Sequence, residues 1–230
     1  MFDPYSDGRV RIPPLAPPLL PKEIADLPRG EDWIYEFCWG GERVRAVKRD
    51  AGVLLVSRDG RELTNRFPQI AASVAKLRAG SVVLDGEILY LESFPPPALQ
   101  RLAEIADDFC HAGFALLVYD LLADEGKDTR GFSLLCRRLL LASIVQGTPI
   151  VLSPLADGNP DNALAAAMQL GLRGVVAKRA GSPYRPNSLV TDWVKKTFPP
   201  KAAAAAALTR SPFAGDDRDA STAGVPAGVS

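Results

Sequence analysis

The chain has 230 residues, 47% of them hydrophobic and 23% charged, which suits one good-sized globular domain or two small ones. Its 27 basic and 27 acidic residues cancel, which excludes a global basic field that would draw in polyanions. Cys38, Cys110 and Cys136 are widely spaced with no CxxC pair, which excludes a disulfide framework and a structural zinc site, and the lone His111 excludes a histidine-based triad.

In chain order, residues 1–28 form a proline-rich N-terminal arm. Each proline fixes its own φ and biases the residue before it away from helix, so the arm is expected to lie extended over the domain surface. A short helical turn is expected near Lys22–Asp26. Strands follow at about Trp33–Cys38, Arg43–Lys48 and Val53–Ser57, the last two joined by the hairpin signal Arg49-Asp50-Ala51-Gly52. Phe67–Leu77 has Ile70, Val74 and Leu77 at helical spacing. Ser81–Leu91 reads as a strand apolar on both faces around Asp85-Gly86-Glu87.

After the Pro95-Pro96-Pro97 interruption, Ala98–Asp107 reads as a helix. Phe114–Leu121 is a continuous apolar run, most simply a buried strand. Leu134–Val145 is helical, with Arg137 and Arg138 expected on its outer side. Ile150–Ser153 is a short strand, and Asp161–Gly171 an Ala-rich helix ended by glycine. Gly174–Arg179 and Asp192–Thr197 are the last strands. Residues 171–200 carry Arg173, Lys178, Arg179, Arg185, Lys195 and Lys196 against the single acid Asp192, either a solvated face or a phosphate-contacting one. Residues 199–230 turn Ala-, Gly- and Ser-rich and are expected to be a disordered tail. No apolar stretch is long enough for a membrane span, and a reducing, cytoplasmic setting fits the unpaired cysteines.

Six stretches, taken together and in order, carry a resemblance. They are Trp33-Ile-Tyr-Glu-Phe-Cys-Trp-Gly-Gly-Glu-Arg-Val-Arg45, Ser57-Arg58-Asp59-Gly60, Asp85-Gly86-Glu87, Tyr119-Asp120-Leu121-Leu122, Gly174-Val175-Val176-Ala177-Lys178 and Trp193-Val194-Lys195. Residues 28–198 resemble the nucleotidyltransferase (adenylation) domain of ATP-dependent DNA ligases, most of all the bacterial ligases of non-homologous end joining. The resemblance implies an α/β (α+β) fold of two twisted, mainly antiparallel sheets with flanking helices, ATP-grasp-like, over residues 29–198, with the nucleotide cleft between the sheets. The OB-fold that follows the last motif in the family is not expected here.

In that family a lysine attacks the α-phosphate of ATP, and the AMP then passes to a DNA 5′-phosphate. Such chemistry needs a nucleophile, a carboxylate-held metal and cations on the phosphates. Here Cys38 stands at the lysine's position and Gly40 at that of a nearby Asp. The resemblance assigns Glu36 to the adenine amino group, Arg43 to ribose or phosphate, and Arg58 to a DNA 5′-phosphate or the AMP ribose. It assigns Glu87 to ribose or metal, Tyr119 to stacking on adenine, and Lys178 and Lys195 to the α-phosphate. Arg173 replaces the family's metal-serving Glu, a change that disfavours Mg²⁺, and Thr197 replaces the terminal Lys. Lys48, in a sequence that echoes the nucleophile motif, lies in the next hairpin and cannot substitute for it.

The implied ligands are ATP or AMP and DNA ends or nicked DNA, with an OB-fold supplied by a protein partner. Three readings follow. The chain is a ligase-like domain that has lost self-adenylation, or an enzyme using Cys38 or pre-adenylated DNA, or a non-catalytic protein-interaction domain.

Overall fold

A computed structural model describes residues 18–50, 52–106, 108–110, 112–186 and 192–199. His111 and the tail after residue 199 lie outside the described residues, as does most of the proline-rich arm.

Two sheets are packed face to face. The first has the order β1 (Lys22–Glu23), β11 (Trp193–Thr197), β10 (Gly174–Arg179), β2 (Trp33–Phe37), β9 (Leu155–Ala156). The second runs β4 (Gly52–Ser57), β3 (Glu42–Arg49), β5 (Val82–Tyr90), β6 (Phe114–Asp124), β7 (Lys127–Asp128), with β8 (Val151–Leu152) parallel to β6. Apart from the parallel β1–β11 and β6–β8 pairs, the pairings are antiparallel. The architecture expected from the sequence, two mainly antiparallel sheets with flanking helices, is the one present.

Alternation along the strands divides the second sheet between two cores. Val44, Ala46, Leu84, Ile88, Leu116 and Val118 face α1 (Pro68–Ala75) and α3 (Leu134–Val145), where they meet Ile70, Val74, Leu141 and Val145. Val47, Val83, Leu89, Leu117 and Tyr119 face the first sheet and share a core with Tyr35, Val175, Ala177 and Trp193. The prolines expected to interrupt the chain at 95–97 instead open α2 (Pro96–Ala103), where the missing N–H groups would be unsatisfied in any case. Asn159 caps α4 (Pro160–Gln169) by accepting from Asp161 N–H and Asn162 N–H at 3.0 Å.

Two further expectations are corrected. Lys22–Glu23 forms no helical turn; it adds a parallel edge strand to β11, its Ile24 N–H donating to Lys195 O at 2.9 Å. Arg137 and Arg138 do not lie on the outer side of α3: they are 0% and 8% exposed, while Leu135 and Leu139 face solvent. Each arginine turns inward because a buried carboxylate is waiting for it, Asp120 for Arg137 and Glu36 for Arg138. No helix among the described residues is long and apolar enough to cross a membrane.

Candidate functional site

Register places most of the predicted residues on the facing surfaces of the two sheets. On the first sheet, Glu36 pairs with Val176, Val176 with Lys195, and Lys178 with Trp193, so these side chains share one face. On the second, Arg43 pairs with Glu87 and Arg45 with Asp85. Tyr119 falls within a β-bulge of β6 opposite Asp85-Gly86, which turns its ring toward the first sheet. The ring meets Trp193 edge-to-face at 6.2 Å.

Glu36 is the hub of the first cluster. Arg138 Nη1 donates to its Oε1 at 2.7 Å; Ser153 Oγ donates to Oε2 at 2.8 Å, and Lys178 Nζ lies 3.0 Å from the same oxygen. Burial pushes the carboxyl up, but the Lys178 and Arg138 charges outweigh it and hold the group below the usual carboxylate range. Lys178 Nζ also sits 4.0 Å from the Trp193 ring centroid and 4.4 Å from that of Tyr119.

Arg43 is the hub of the second. It grips Asp85 bidentately (Nε to Oδ1 2.8 Å, Nη2 to Oδ2 2.7 Å), donates to Leu19 O at 3.1 Å, and places its guanidinium 4.9 Å from the Tyr119 centroid. Tyr184 completes the group, donating to Asp85 Oδ2 at 2.7 Å and accepting from Leu19 N–H at 2.9 Å. Behind it, Asp120 and Arg137 form a wholly buried bidentate pair at 2.6 and 2.8 Å.

The third cluster surrounds Cys38, which is half-buried at the end of β2. Burial, with Glu87 nearby, pushes its thiol up to about 11, although Lys195 and Arg173 pull the other way. Glu87 Oε2 accepts from Gly41 N–H at 2.7 Å, and its desolvation raises its pKa against the pull of that hydrogen bond and of Arg43, Lys178 and Arg173. Gly40 adopts φ +81°, and the exposed Arg173 side chain crosses directly over it. At the cleft's open edge, Lys195 Nζ lies 3.4 Å from Glu23 Oε2, and both Thr197 N–H and Thr197 Oγ1 donate to Glu23 Oε1 at 2.8 Å. Lys196 points to the opposite face and pairs with Asp26 at 3.2 Å.

The structure therefore brings Glu36, Cys38, Gly40, Arg43, Glu87, Tyr119, Arg173, Lys178, Lys195 and Thr197 together between the two sheets. Arg58 stands apart in the exposed turn after β4, beyond the Val44–Ser57 pair and thus at the same end of its sheet as Arg43. Lys48 sits at the other end of β3 and donates to Leu77 O. Sequence reasoning missed Asp85, Arg138, Ser153, Tyr184 and Glu23. For Asp85 the signal was present, a second carboxylate in an apolar strand; for the others only the tertiary fold supplies it.

Lys178 and Arg43 are each paired with a buried carboxylate, Glu36 and Asp85, and the buried Trp193 indole N–H has no hydrogen-bond partner among the described residues. Glu87, the carboxylate that the resemblance offers to a metal, has Arg43, Lys178 and Arg173 near it, and Asp85 is held by Arg43.

Comparison with known proteins finds relatives of this chain. The family described as "ATP dependent DNA ligase domain" matches residues 13–196. The multifunctional non-homologous end joining protein LigD of Pseudomonas aeruginosa is 33% identical over 193 residues, covering 83% of this chain and 23% of that protein. The corresponding DNA repair protein LigD of Mycobacterium tuberculosis is 31% identical over 167 residues, 73% of this chain and 22% of that protein. This chain thus spans about a quarter of the length of these relatives. Among solved structures, the ligase domain of M. tuberculosis LigD matches with a TM-score of 0.60 and 28% identity, over 77% of this chain and 59% of that one. A mycobacterial DNA ligase D complexed with ATP and MES matches with the same TM-score at 26% identity, over 77% of this chain and 60% of that one.

Proposed function

This chain belongs to the family of ATP dependent DNA ligase domains, and from that premise we propose that it is an adenylation-type domain that binds nucleotide or a DNA 5′-phosphate without charging itself with AMP, serving DNA end joining. Its cations and aromatic rings are retained as a binding cleft, while the covalent step is lost. Metal-assisted adenylation is lost with it, because Arg173 stands beside the reaction centre in place of a carboxylate.

The observation that carries this reading is the residue at the nucleophile position, Cys38, half-buried at the end of β2, where the family has a lysine. The residue at the nucleophile position bears a thiol pushed up to about 11, so at neutral pH it is protonated and a poor nucleophile. Activating it would require a base or a dominant positive field. Instead, burial and Glu87 outweigh Lys195 and Arg173.

The test is incubation of the purified protein with α-labelled ATP and Mg²⁺, read by intact mass and gel, beside equilibrium binding of AMP. Reversible AMP binding with no covalent adduct is expected. A stable adduct of one AMP that disappears in Cys38→Ala would establish a cysteine-based nucleotidyltransferase and overturn the proposal. An adduct that appears only in Cys38→Lys/Gly40→Asp/Arg173→Glu would support a binding cleft stripped of its chemistry.

A further inference from the structure

One contact at the mouth of the cleft has the composition of a ligand site. Glu23 presents one carboxylate to three donors of β11: the Thr197 amide and hydroxyl, each at 2.8 Å from Oε1, and Lys195 Nζ at 3.4 Å from Oε2. Two directed hydrogen bonds plus a lysine on one oxyanion is how proteins hold phosphate groups. The arrangement arises because β1 stops at Glu23. Its register ends at the Glu23–Lys195 pair, so no backbone carbonyl of β1 reaches the Thr197 amide, which takes a side-chain carboxylate instead.

The occupant is held by little else. β1 is a two-residue edge strand, and the Glu23 side chain is 50% exposed. Short edge segments with few backbone bonds open locally at low cost. The charge balance favours exchange. Around Cys38, the cations Arg173 and Lys195 face the carboxylates Glu87 and Glu23, so displacing Glu23 leaves a positive surplus beside the cleft. Arg173 is exposed and has no ion-pair partner among the described residues. Thr197 and Lys195 lie on the strand face that carries Trp193, whose ring meets Tyr119.

The resemblance already assigns Lys195 to a phosphate; we propose that Glu23 of the same chain is the internal competitor for that phosphate, occupying the donors of Thr197 and Lys195 between the sheets. The proposal rests on the reading of the cleft as a nucleotide or DNA-end site, and adds to it a gate: a phosphate group enters by taking Glu23's place. β1 then binds less firmly to β11 once the subsite is filled. The shared chemistry is a phosphate monoester, from a free nucleotide or from the 5′ end of a DNA strand.

The experiment compares the full chain with Glu23→Gln, which removes the charge but keeps an acceptor oxygen for Thr197, so that β1 stays docked. The probes are AMP and one oligonucleotide prepared with a 5′-phosphate and with a 5′-hydroxyl. Glu23→Gln is expected to bind a phosphate-bearing probe about tenfold more tightly than wild type, a typical coupling between competing groups. The gain should vanish in Glu23→Gln/Thr197→Val and be absent for the 5′-hydroxyl strand. The probe that gains identifies the source of the phosphate. Equal affinity in Glu23→Gln and wild type, with binding still weakened by Lys195→Ala, overturns the gate and leaves the nucleotide-site reading standing. An equal gain for 5′-phosphate and 5′-hydroxyl strands also overturns it, as a general charge effect. No binding of any probe by either protein overturns both readings.

Discussion

Arg173 lies across Gly40: a Cβ built on Gly40 would stand 2.3 Å from Arg173 Cδ and 2.8 Å from Nη1. The two positions are therefore one structural unit. Residue 40 has no side chain, and the arginine's stem takes the room a side chain would fill. Gly40 also sits at φ +81°, where alanine is strained. Gly40→Ala is expected to cost about 1–3 kcal/mol, part strain and part collision. In an Arg173→Ala background only the strain should remain, so the double-mutant cycle should show about 0.5–1.5 kcal/mol of coupling in urea unfolding. Strictly additive effects would show that Arg173 swings clear at no cost.

The buried arginines of α3 supply a second prediction. Arg137 and Asp120 are both fully inaccessible, and Arg137 Nη1 also donates to Phe132 O and Ser182 O. Removing one partner leaves a buried charge without compensation, so Arg137→Ala should cost about 3–5 kcal/mol. Leu139→Ala on the same helix, 73% exposed, serves as the reference and should cost far less. Comparable losses in the two variants would mean that the pair contributes nothing beyond helix packing.

The same helix shows where the sequence stopped being informative. Periodicity placed α3 from Leu134 to Val145, and the structure has those bounds. It could not place the arginines, because charge normally marks the wet face, and the partners that draw Arg137 and Arg138 inward lie 17 and 102 residues away in sequence. The strands that carry the cleft were legible for the opposite reason: β5 and β6 are apolar on both faces, and carboxylates such as Glu87 stand out against them. Glu23 was invisible, since nothing local distinguishes it from other solvated acids of the arm. Only the β1–β11 register brings it to Thr197.

Glu36 gives the cleft a pH dependence. Its pKa is held below the ordinary carboxylate value because the Lys178 and Arg138 charges outweigh the burial that would raise it. A group depressed in the folded state stabilises the fold above its unfolded pKa, and that stability is lost as pH falls through the folded value. Wild type should therefore lose stability on acidification below about pH 4.5, the unfolded carboxyl's range. Glu36→Gln should be less stable at neutral pH, and its stability should fall less over that acid limb. Parallel pH–stability curves for the two proteins would exclude Glu36 as a contributor.

Cys38 makes the converse prediction on the alkaline side. With its thiol raised to about 11, the thiolate fraction at neutral pH is small, and it grows tenfold per pH unit until it levels near that value. Alkylation of Cys38, followed by peptide mass, should be slow at pH 7 and rise log-linearly through pH 9. Cys110 and Cys136, both exposed, should react first. Rapid modification of Cys38 at pH 7 would reveal an activated thiolate and reopen the case for covalent catalysis.

Arg58 separates binding from stability most cleanly. It lies in the exposed turn after β4, at the end of the sheet that carries Arg43 and Glu87, with no ion-pair partner among the described residues. Arg58→Ala should leave the melting temperature unchanged, because no buried contact is lost. If this arginine meets a DNA 5′-phosphate, affinity for a 5′-phosphorylated strand should fall several-fold. The dependence of log affinity on log salt should then become shallower by about 0.7 to 1, the signature of one lost phosphate contact. Unchanged affinity with an unchanged salt slope would remove Arg58 from the site and confine phosphate recognition to the cleft itself.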